Sequence, residues 1–173
     1  MNSNTGCLFC TIGKKGLLEE LPSKFENGQP VPCNRGIYED AYCVATLAPE
    51  QYTRGHALVV LKNHRTDMAD SSISSEEIFG FTSAIHKLAK HLKENLQDSN
   101  HKAPERIYVC SLCDGVEHLH AHLIPRYPET GKGFQYIGEL EKNYTTSDFC
   151  RKSDKERAHH LQELAERLRL SLL

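Results

Sequence analysis

Three histidines alternate with apolar residues in the stretch His118-Leu119-His120-Ala121-His122. Successive side chains of a β-strand point to opposite faces, so a strand here places the three imidazoles on one face and the apolar side chains on the other. A neutral imidazole is a nucleophile and a proton carrier near pH 7, and neighbouring imidazoles fix its tautomer and supply protons. A metal-binding or solvent-facing cluster is the alternative, but the strict alternation favours a functional role.

Two cysteine pairs have a spacing that is found in metal and redox sites. Cys7-x-x-Cys10 has the spacing of a zinc knuckle, although the pair alone is equally compatible with a redox pair or with two free thiols. Cys110-x-x-Cys113 adds the alternative of a four-cysteine site. Cys110 falls in a predicted strand, where positions three apart face opposite ways. The thiols of Cys110 and Cys113 therefore reach one metal only if Cys113 lies in a turn. We therefore rank the four-cysteine site lower.

The composition excludes several classes of protein. The chain has 173 residues, 39% of them hydrophobic, which predicts one domain over residues 1–173. Its 21 basic and 23 acidic residues are mixed along the chain, so no basic face for nucleic acid is expected. No apolar run is long enough for a membrane span, the start does not resemble a signal peptide, and the seven cysteines are an odd number. We therefore expect a soluble, cytoplasmic protein with reduced or metal-bound thiols.

Strand-forming residues predict where the histidines and cysteines are held. Four stretches have the β-branched and aromatic content of strands: residues 37–47, 56–62, 105–112 and 118–127. A turn at Asp114-Gly115 makes the last two of them a hairpin. The strand that carries the histidines is thus expected to be paired with the strand that contains Cys110.

Two helices are predicted around these strands. Ser74 and Glu77 form a capping-box pattern ahead of apolar residues that recur every three to four positions over about 75–97. Residues 153–172 show the pattern of a closing C-terminal helix, and residues 13–36 that of an irregular arm or insertion. The order of the elements predicts an α+β fold, with a mainly antiparallel sheet, one long helix and a C-terminal helix.

Three motifs resemble those of one known family. HLHAHLI at 118–124 resembles the signature of the histidine-triad family, in which histidines alternate with apolar residues. GHALVVLKNH at 55–64 is similar to its other hallmark, a strand that opens with histidine and ends in Lys-x-His. With the cysteine pair at 7–10, the motifs occur in the family's order, and the resemblance covers roughly residues 7–127.

The resemblance implies a nucleotide hydrolase that acts at the α-phosphate of a nucleoside 5′-phosphate derivative, such as a dinucleoside polyphosphate or a nucleoside phosphoramidate. His120, the middle histidine, would form a covalent nucleotidyl intermediate, and His122 would be the second catalytic residue, in contact with phosphate. His56 matches a family position that lines the same pocket. Many members have a Gly-Gln-Ser or Gly-Gln-Thr loop that holds phosphate just before the triad, where this chain has Cys113-Asp114-Gly115, and Ser111 is the remaining hydroxyl candidate. Thr46 stands where many members have an aspartate for the ribose.

The same resemblance implies a metal site and an assembly. Cys7, Cys10, His64 and His118 would bind one structural Zn²⁺ per chain. The family's hydrolase branches also imply a homodimer, with an interface on the long helix and the neighbouring strand.

Two other functions are alternatives for a sequence with these motifs. One is a nucleotidyltransferase similar to galactose-1-phosphate uridylyltransferase, but its triad typically has glutamine at the position of His122. The other is a nucleotide-binding module without activity, and the intact triad counts against it.

Overall fold

The computed structural model describes residues 6–14, 31, 33–128 and 130–170, and a five-stranded sheet lies at its centre. In chain order the elements are α1 (Leu8–Lys14), β1 (Gly36–Glu39), β2 (Cys43–Leu47), β3 (Ala57–Leu61), α2 (Ser75–Asn95), β4 (Arg106–Cys110), β5 (His120–Arg126), α3 (Gly133–Thr145), α4 (Asp148–Arg151) and α5 (Asp154–Leu170). The strand order is β1-β2-β3-β5-β4, and every neighbouring pair is antiparallel. The predicted α+β fold with a mainly antiparallel sheet is therefore confirmed.

The main core lies between one face of the sheet and the helices α2 and α5. Val59 and Leu123 from the central strands are fully buried there, together with Leu88 of α2 and Leu161 of α5. Each fully buried side chain of this kind stabilises the fold by roughly 1.5–3 kcal/mol. The opposite face of the sheet is thereby left for the histidines.

The long helix begins at the predicted capping box. Ser74 Oγ accepts the backbone N–H of Glu77 at 3.2 Å, and the Glu77 carboxylate accepts the backbone N–H of Ser74 at 2.9 Å. This pair satisfies two N–H groups that have no partner within the helix. The predicted C-terminal helix is also present, as α5.

The prediction of a single strand over 37–47 is wrong, because the chain turns within it. Asp40 Oδ1 accepts the backbone N–H groups of Tyr42 and Cys43 at 2.8 and 2.7 Å. An aspartate that bonds to backbone groups two and three residues ahead stabilises a turn. The segment therefore forms β1 and β2, which pair with each other.

Three helices, α1, α3 and α4, were not predicted. Tyr136, Leu140 and Tyr144 of α3 are buried at four-residue intervals, and Tyr136 and Leu140 pack on Ile124 of β5. This periodicity was visible in the sequence, although the segment beyond Tyr127 matched no motif.

Part of the predicted arm lies outside the described residues, namely 15–30 and 32. Within the described part of the chain, no helix is both long enough and apolar enough to span a membrane.

Candidate active site and metal centre

The pairing of β5 with its two neighbours brings the catalytic candidates onto one face of the sheet. His120 is directly opposite Val60, and His122 lies between Leu58 on one side and Cys110 on the other. Residues directly opposite one another in a sheet share a face. His120 is only 5% exposed, whereas His122 is half-buried. The histidine face is thus partly covered and open at His122.

Backbone hydrogen bonding fixes the tautomer of His120. Its Nδ1 lies 2.7 Å from the carbonyl oxygen of His118, and a carbonyl only accepts, so Nδ1 carries the proton. The lone pair is therefore on Nε2. Burial lowers the pKa of His120 below its usual value, which keeps the ring neutral at pH 7 and nucleophilic.

A second chain of hydrogen bonds orients His122. Nδ1 of His56 donates to the carbonyl oxygen of Glu50 at 2.9 Å, which leaves Nε2 of His56 as an acceptor. This Nε2 lies 3.0 Å from Nδ1 of His122. His122 therefore carries its proton on Nδ1 and directs Nε2 away from His56. His56 is 1% exposed, and its hydrogen-bonding contact with the triad is the one with His122.

Burial also keeps these two rings neutral. Desolvation, with a smaller contribution from His122, lowers the pKa of His56 to about 3. Desolvation lowers the pKa of His122 to about 4, with a smaller contribution from His120. A bound anion would have the opposite effect, because a negative charge favours the protonated ring.

A cluster of possible metal ligands lies beside His120. Cys7 and Cys10 of the N-terminal segment meet His64 and His118 in a cluster whose four potential ligand atoms lie within 4.8 Å of one another. Nδ1 of His118 is 3.4 Å from Cys7 Sγ, 3.6 Å from Cys10 Sγ and 3.3 Å from Nδ1 of His64. Cys10 Sγ is 3.4 Å from Nδ1 of His64.

These distances fit a tetrahedral zinc ion. With bonds of about 2.3 Å to sulfur and about 2.0 Å to nitrogen, a tetrahedron separates two nitrogens by about 3.3 Å and a sulfur from a nitrogen by about 3.5 Å. The tautomers fit as well, since Nε2 of His118 donates to the carbonyl oxygen of Leu61 at 2.6 Å and leaves a lone pair on Nδ1. Two thiols and two imidazoles are a donor set that zinc prefers.

Helix α2 holds the loop that carries His64. The buried carboxylate of Glu77 accepts from Asn63 at 2.8 Å and from Arg65 at 3.0 Å, on either side of His64 in the chain. Glu77 also closes the capping box, so the start of the helix and the position of His64 are coupled.

The other residues singled out from the sequence differ in their exposure and in their hydrogen-bond partners. Ser111 is exposed and donates its hydroxyl to the backbone oxygen of His120 at 2.6 Å. Thr46 is fully buried, and its hydroxyl donates to the backbone oxygen of Arg35 at 3.0 Å. Cys110 and Cys113 do not belong to the metal-ligand cluster found among the described residues. Cys113 instead places its sulfur 3.9 Å from Nδ1 of His120.

Several residues that shape the site were missed by the sequence reasoning. The ring of Phe9 lies 4.6 Å from that of His120, and Phe9 stands between the two cysteines of the first pair, where its position was a usable signal. Gln51 holds the turn before His56, with 2.8 Å bonds to the backbone of Ala48, Gly55 and His56. Nothing in the sequence indicated this contact.

Comparison with known proteins agrees with this geometry. The sequence profile of the HIT domain matches residues 31–129. An uncharacterized HIT-like protein of Mycoplasma genitalium is 28% identical over 151 residues, which cover 83% of this chain and 92% of that protein.

Two solved structures are also similar. The structure of a HIT family protein from Bacillus anthracis is 28% identical, with a TM-score of 0.51, and covers 82% of this chain and 93% of its own. A zinc-bound histidine triad family protein from Mycobacterium smegmatis shares the fold with a TM-score of 0.52 at 20% identity, over 94% of this chain and 97% of its own. With a profile match over more than half of its residues, this chain belongs to the HIT domain family.

Proposed function

We propose that the protein is a nucleotide hydrolase, in which Nε2 of His120 attacks the α-phosphorus of a nucleoside 5′-phosphate derivative. The observation that carries this proposal is the hydrogen bond from Nδ1 of His120 to the His118 carbonyl, because it leaves the lone pair on Nε2 of a neutral ring. Dinucleoside polyphosphates and nucleoside phosphoramidates are the substrate classes.

In the first step a bond forms between Nε2 of His120 and the α-phosphorus, and the bond from phosphorus to the leaving group breaks with its electron pair. The leaving oxygen or nitrogen takes a proton from Nε2 of His122, which enters the step as an imidazolium. The substrate's negative charge supports this protonation, since it raises the pKa of the adjacent imidazole. The product is a nucleotidyl-histidine whose Nδ1–H remains bonded to the His118 carbonyl.

In the second step a water molecule attacks the same phosphorus. Its proton passes to the now neutral Nε2 of His122, and the bond between phosphorus and His120 breaks, which restores the free imidazole. His56 is a positioning residue in both steps, because its acceptor Nε2 keeps the proton of His122 on Nδ1 and the reactive Nε2 toward phosphate.

We further propose that Cys7, Cys10, His64 and His118 bind one structural zinc ion. When bound, the ion supplies a cross-link between the N-terminal segment and the strand that carries His120. Two observations support this assignment: the distances between the ligand atoms match those of a tetrahedral zinc site, and Nδ1 of His118 is unprotonated.

A homodimer is proposed as the assembly. β4 lies at the edge of the sheet, and Val109 and Leu112 at this edge are 48% and 69% exposed. Phe79 on α2 is 74% exposed. An uncovered edge strand with apolar side chains favours pairing with a second chain.

His120→Ala is expected to lower turnover by roughly 10³-fold or more, because the covalent route is lost. His159→Ala, which removes an exposed histidine of α5, is the matched control and should keep wild-type turnover. Mass spectrometry of the quenched wild type should show a nucleotidyl adduct on His120. An adduct on His122, or near-normal turnover by His120→Ala, contradicts the mechanism.

His56→Phe is expected to lower kcat by about 10- to 100-fold with a smaller change in KM, since His122 loses the acceptor that fixes its tautomer. His56→Gln retains a donor and an acceptor and should recover part of the loss. Steady-state kinetics of both variants test this, and a wild-type kcat in His56→Phe would rule out the positioning role.

The same variant should change the pH dependence of stability. Since the pKa of His56 is about 3 in the fold against an ordinary 6.5, the unfolded chain binds the extra proton between these values. This contribution is fully present above pH 6.5 and is lost as the pH falls toward 3. His56→Phe should therefore lose stability less steeply than wild type in urea unfolding over this window, and equal slopes would contradict the buried neutral His56.

The purified protein is expected to contain one zinc per chain, and Cys7→Ser should lose it because a tetrahedral structural site needs all four ligands. Cys110→Ser is the matched control and should retain full zinc. Elemental metal analysis distinguishes them. Full zinc in Cys7→Ser together with its loss in Cys110→Ser would show that the assignment is wrong.

The dimer predicts a sedimentation mass near twice that of the 19.6 kDa chain. Val109→Lys should shift the mass toward one chain, because a charge at the sheet edge opposes pairing. Met68→Lys changes a residue of nearly the same exposure, 47%, outside β4 and should leave the mass unchanged. A wild-type mass of one chain is the outcome that excludes the dimer.

A further inference from the structure

A cationic cavity lies at the opposite end of β5 from His120. Its volume is about 590 Å³, and it is lined by Glu105, Arg106, Tyr108, Arg126 and Lys132. This volume falls in the range of pockets that hold small ligands. The proposed hydrolase chemistry uses none of these residues.

The sheet register brings two of the positive charges together. Arg106 and Arg126 are direct cross-strand partners, so their side chains leave the same face, and like charges in this position destabilise a sheet. Arg126 pairs with Glu105, which supplies one negative charge. Lys132 adds a third cation, so the described lining residues carry a net charge of +2, from three cations and one carboxylate, in a chain whose overall charge is −2.

Arg126 is built into the cavity wall. Its side chain is 6% exposed, and its Nε has no hydrogen-bond partner among the described residues. The hydrogen bond from Arg126 lowers the pKa of Glu105, and the charges of Arg126, Lys132 and Arg106 add to this effect. All three cations therefore lie close enough to the Glu105 carboxylate to stabilise its charge. Glu105 thus satisfies only part of the guanidinium, and a buried donor without a hydrogen-bond partner is costly.

The start of α3 points to the same ligand chemistry. Lys132 is the N-cap residue of this 13-residue helix and makes no side-chain cap hydrogen bond. The backbone N–H of Gly133 donates to the Tyr108 hydroxyl at 3.0 Å, which holds the helix start against the cavity. The positive end of a helix favours anions, and phosphate in particular.

We propose that this cavity is a binding site for a phosphate-bearing anion, held by Arg106, Arg126 and Lys132 at the start of α3. A phosphate is preferred over a single carboxylate because it offers more charge and more acceptor oxygens to cations arranged on several sides.

Two sources have this chemistry, a free anion and the distal phosphate of a substrate bound at the triad. Arg126 and His122 are four residues apart on β5, about 13 Å at the usual rise of a strand. Between them Ile124 is buried under Tyr136 of α3. This cover favours a free anion.

The test measures binding of tripolyphosphate by isothermal titration calorimetry at constant ionic strength. Arg106→Ala/Lys132→Ala removes two cations of the cavity but not the buried Arg126. Lys142→Ala/Arg151→Ala removes two exposed cations elsewhere and controls for net charge. We expect the cavity variant to weaken binding by about tenfold or more, as the loss of charged hydrogen bonds requires. The control should change it less than about twofold.

Equal binding by the cavity variant and the control, or no binding by the wild type, overturns the proposal. This readout needs no turnover, so it is independent of the hydrolase proposal. The source is decided by kinetics of the cavity variant. A higher KM for a dinucleoside polyphosphate but not for a nucleoside phosphoramidate indicates a distal phosphate, whereas unchanged values for both indicate a free anion.

Discussion

A backbone carbonyl can only accept a hydrogen bond, and the candidate site depends on this constraint at three points. The carbonyl of His118 fixes the proton of His120, that of Glu50 fixes His56 and through it His122, and that of Leu61 fixes His118. Each ring thereby directs its lone pair to one defined place. The backbone conformation of these segments thus determines which ring nitrogen of each histidine carries the proton.

The two faces of the sheet differ in what they contribute: one forms the main core and the other carries the histidines. One face is packed by α2 and α5 and supplies most of the apolar burial, so it holds the strands in register. The other face carries the histidines, whose low exposure keeps them neutral. Glu77 connects the core to the histidine face, because it caps α2 and also orients the loop that carries His64. A change in the first turn of α2 is therefore expected to reach the metal-ligand cluster.

The helix α3 divides the histidine face. Its buried Tyr136 and Leu140 pack on Ile124 between the triad and the cationic cavity, so two differently charged regions lie on one side of one sheet. At the triad burial lowers the pKa values of His120 and His122 and keeps both rings neutral, whereas the described lining of the cavity carries the positive charges of Arg106, Arg126 and Lys132. The first arrangement suits proton transfer, and the second suits charge neutralisation.

The sequence by itself determined whatever depends on local periodicity. Alternation at 118–122 indicated that the three histidines share one face, the Ser74 and Glu77 spacing indicated the start of α2, and the order of the elements indicated the antiparallel sheet. The sequence pattern was misleading at 37–47, because the hydrogen bonds of the Asp40 side chain make a turn within a segment of strand-like composition. Only the tertiary structure decided which carbonyl fixes each histidine, that Phe9 lies against His120, and that Arg106 faces Arg126. The contacts of His118 with Leu61, of Phe9 with His120 and of Arg106 with Arg126 join separate elements, and their partners depend on how these elements pair and pack.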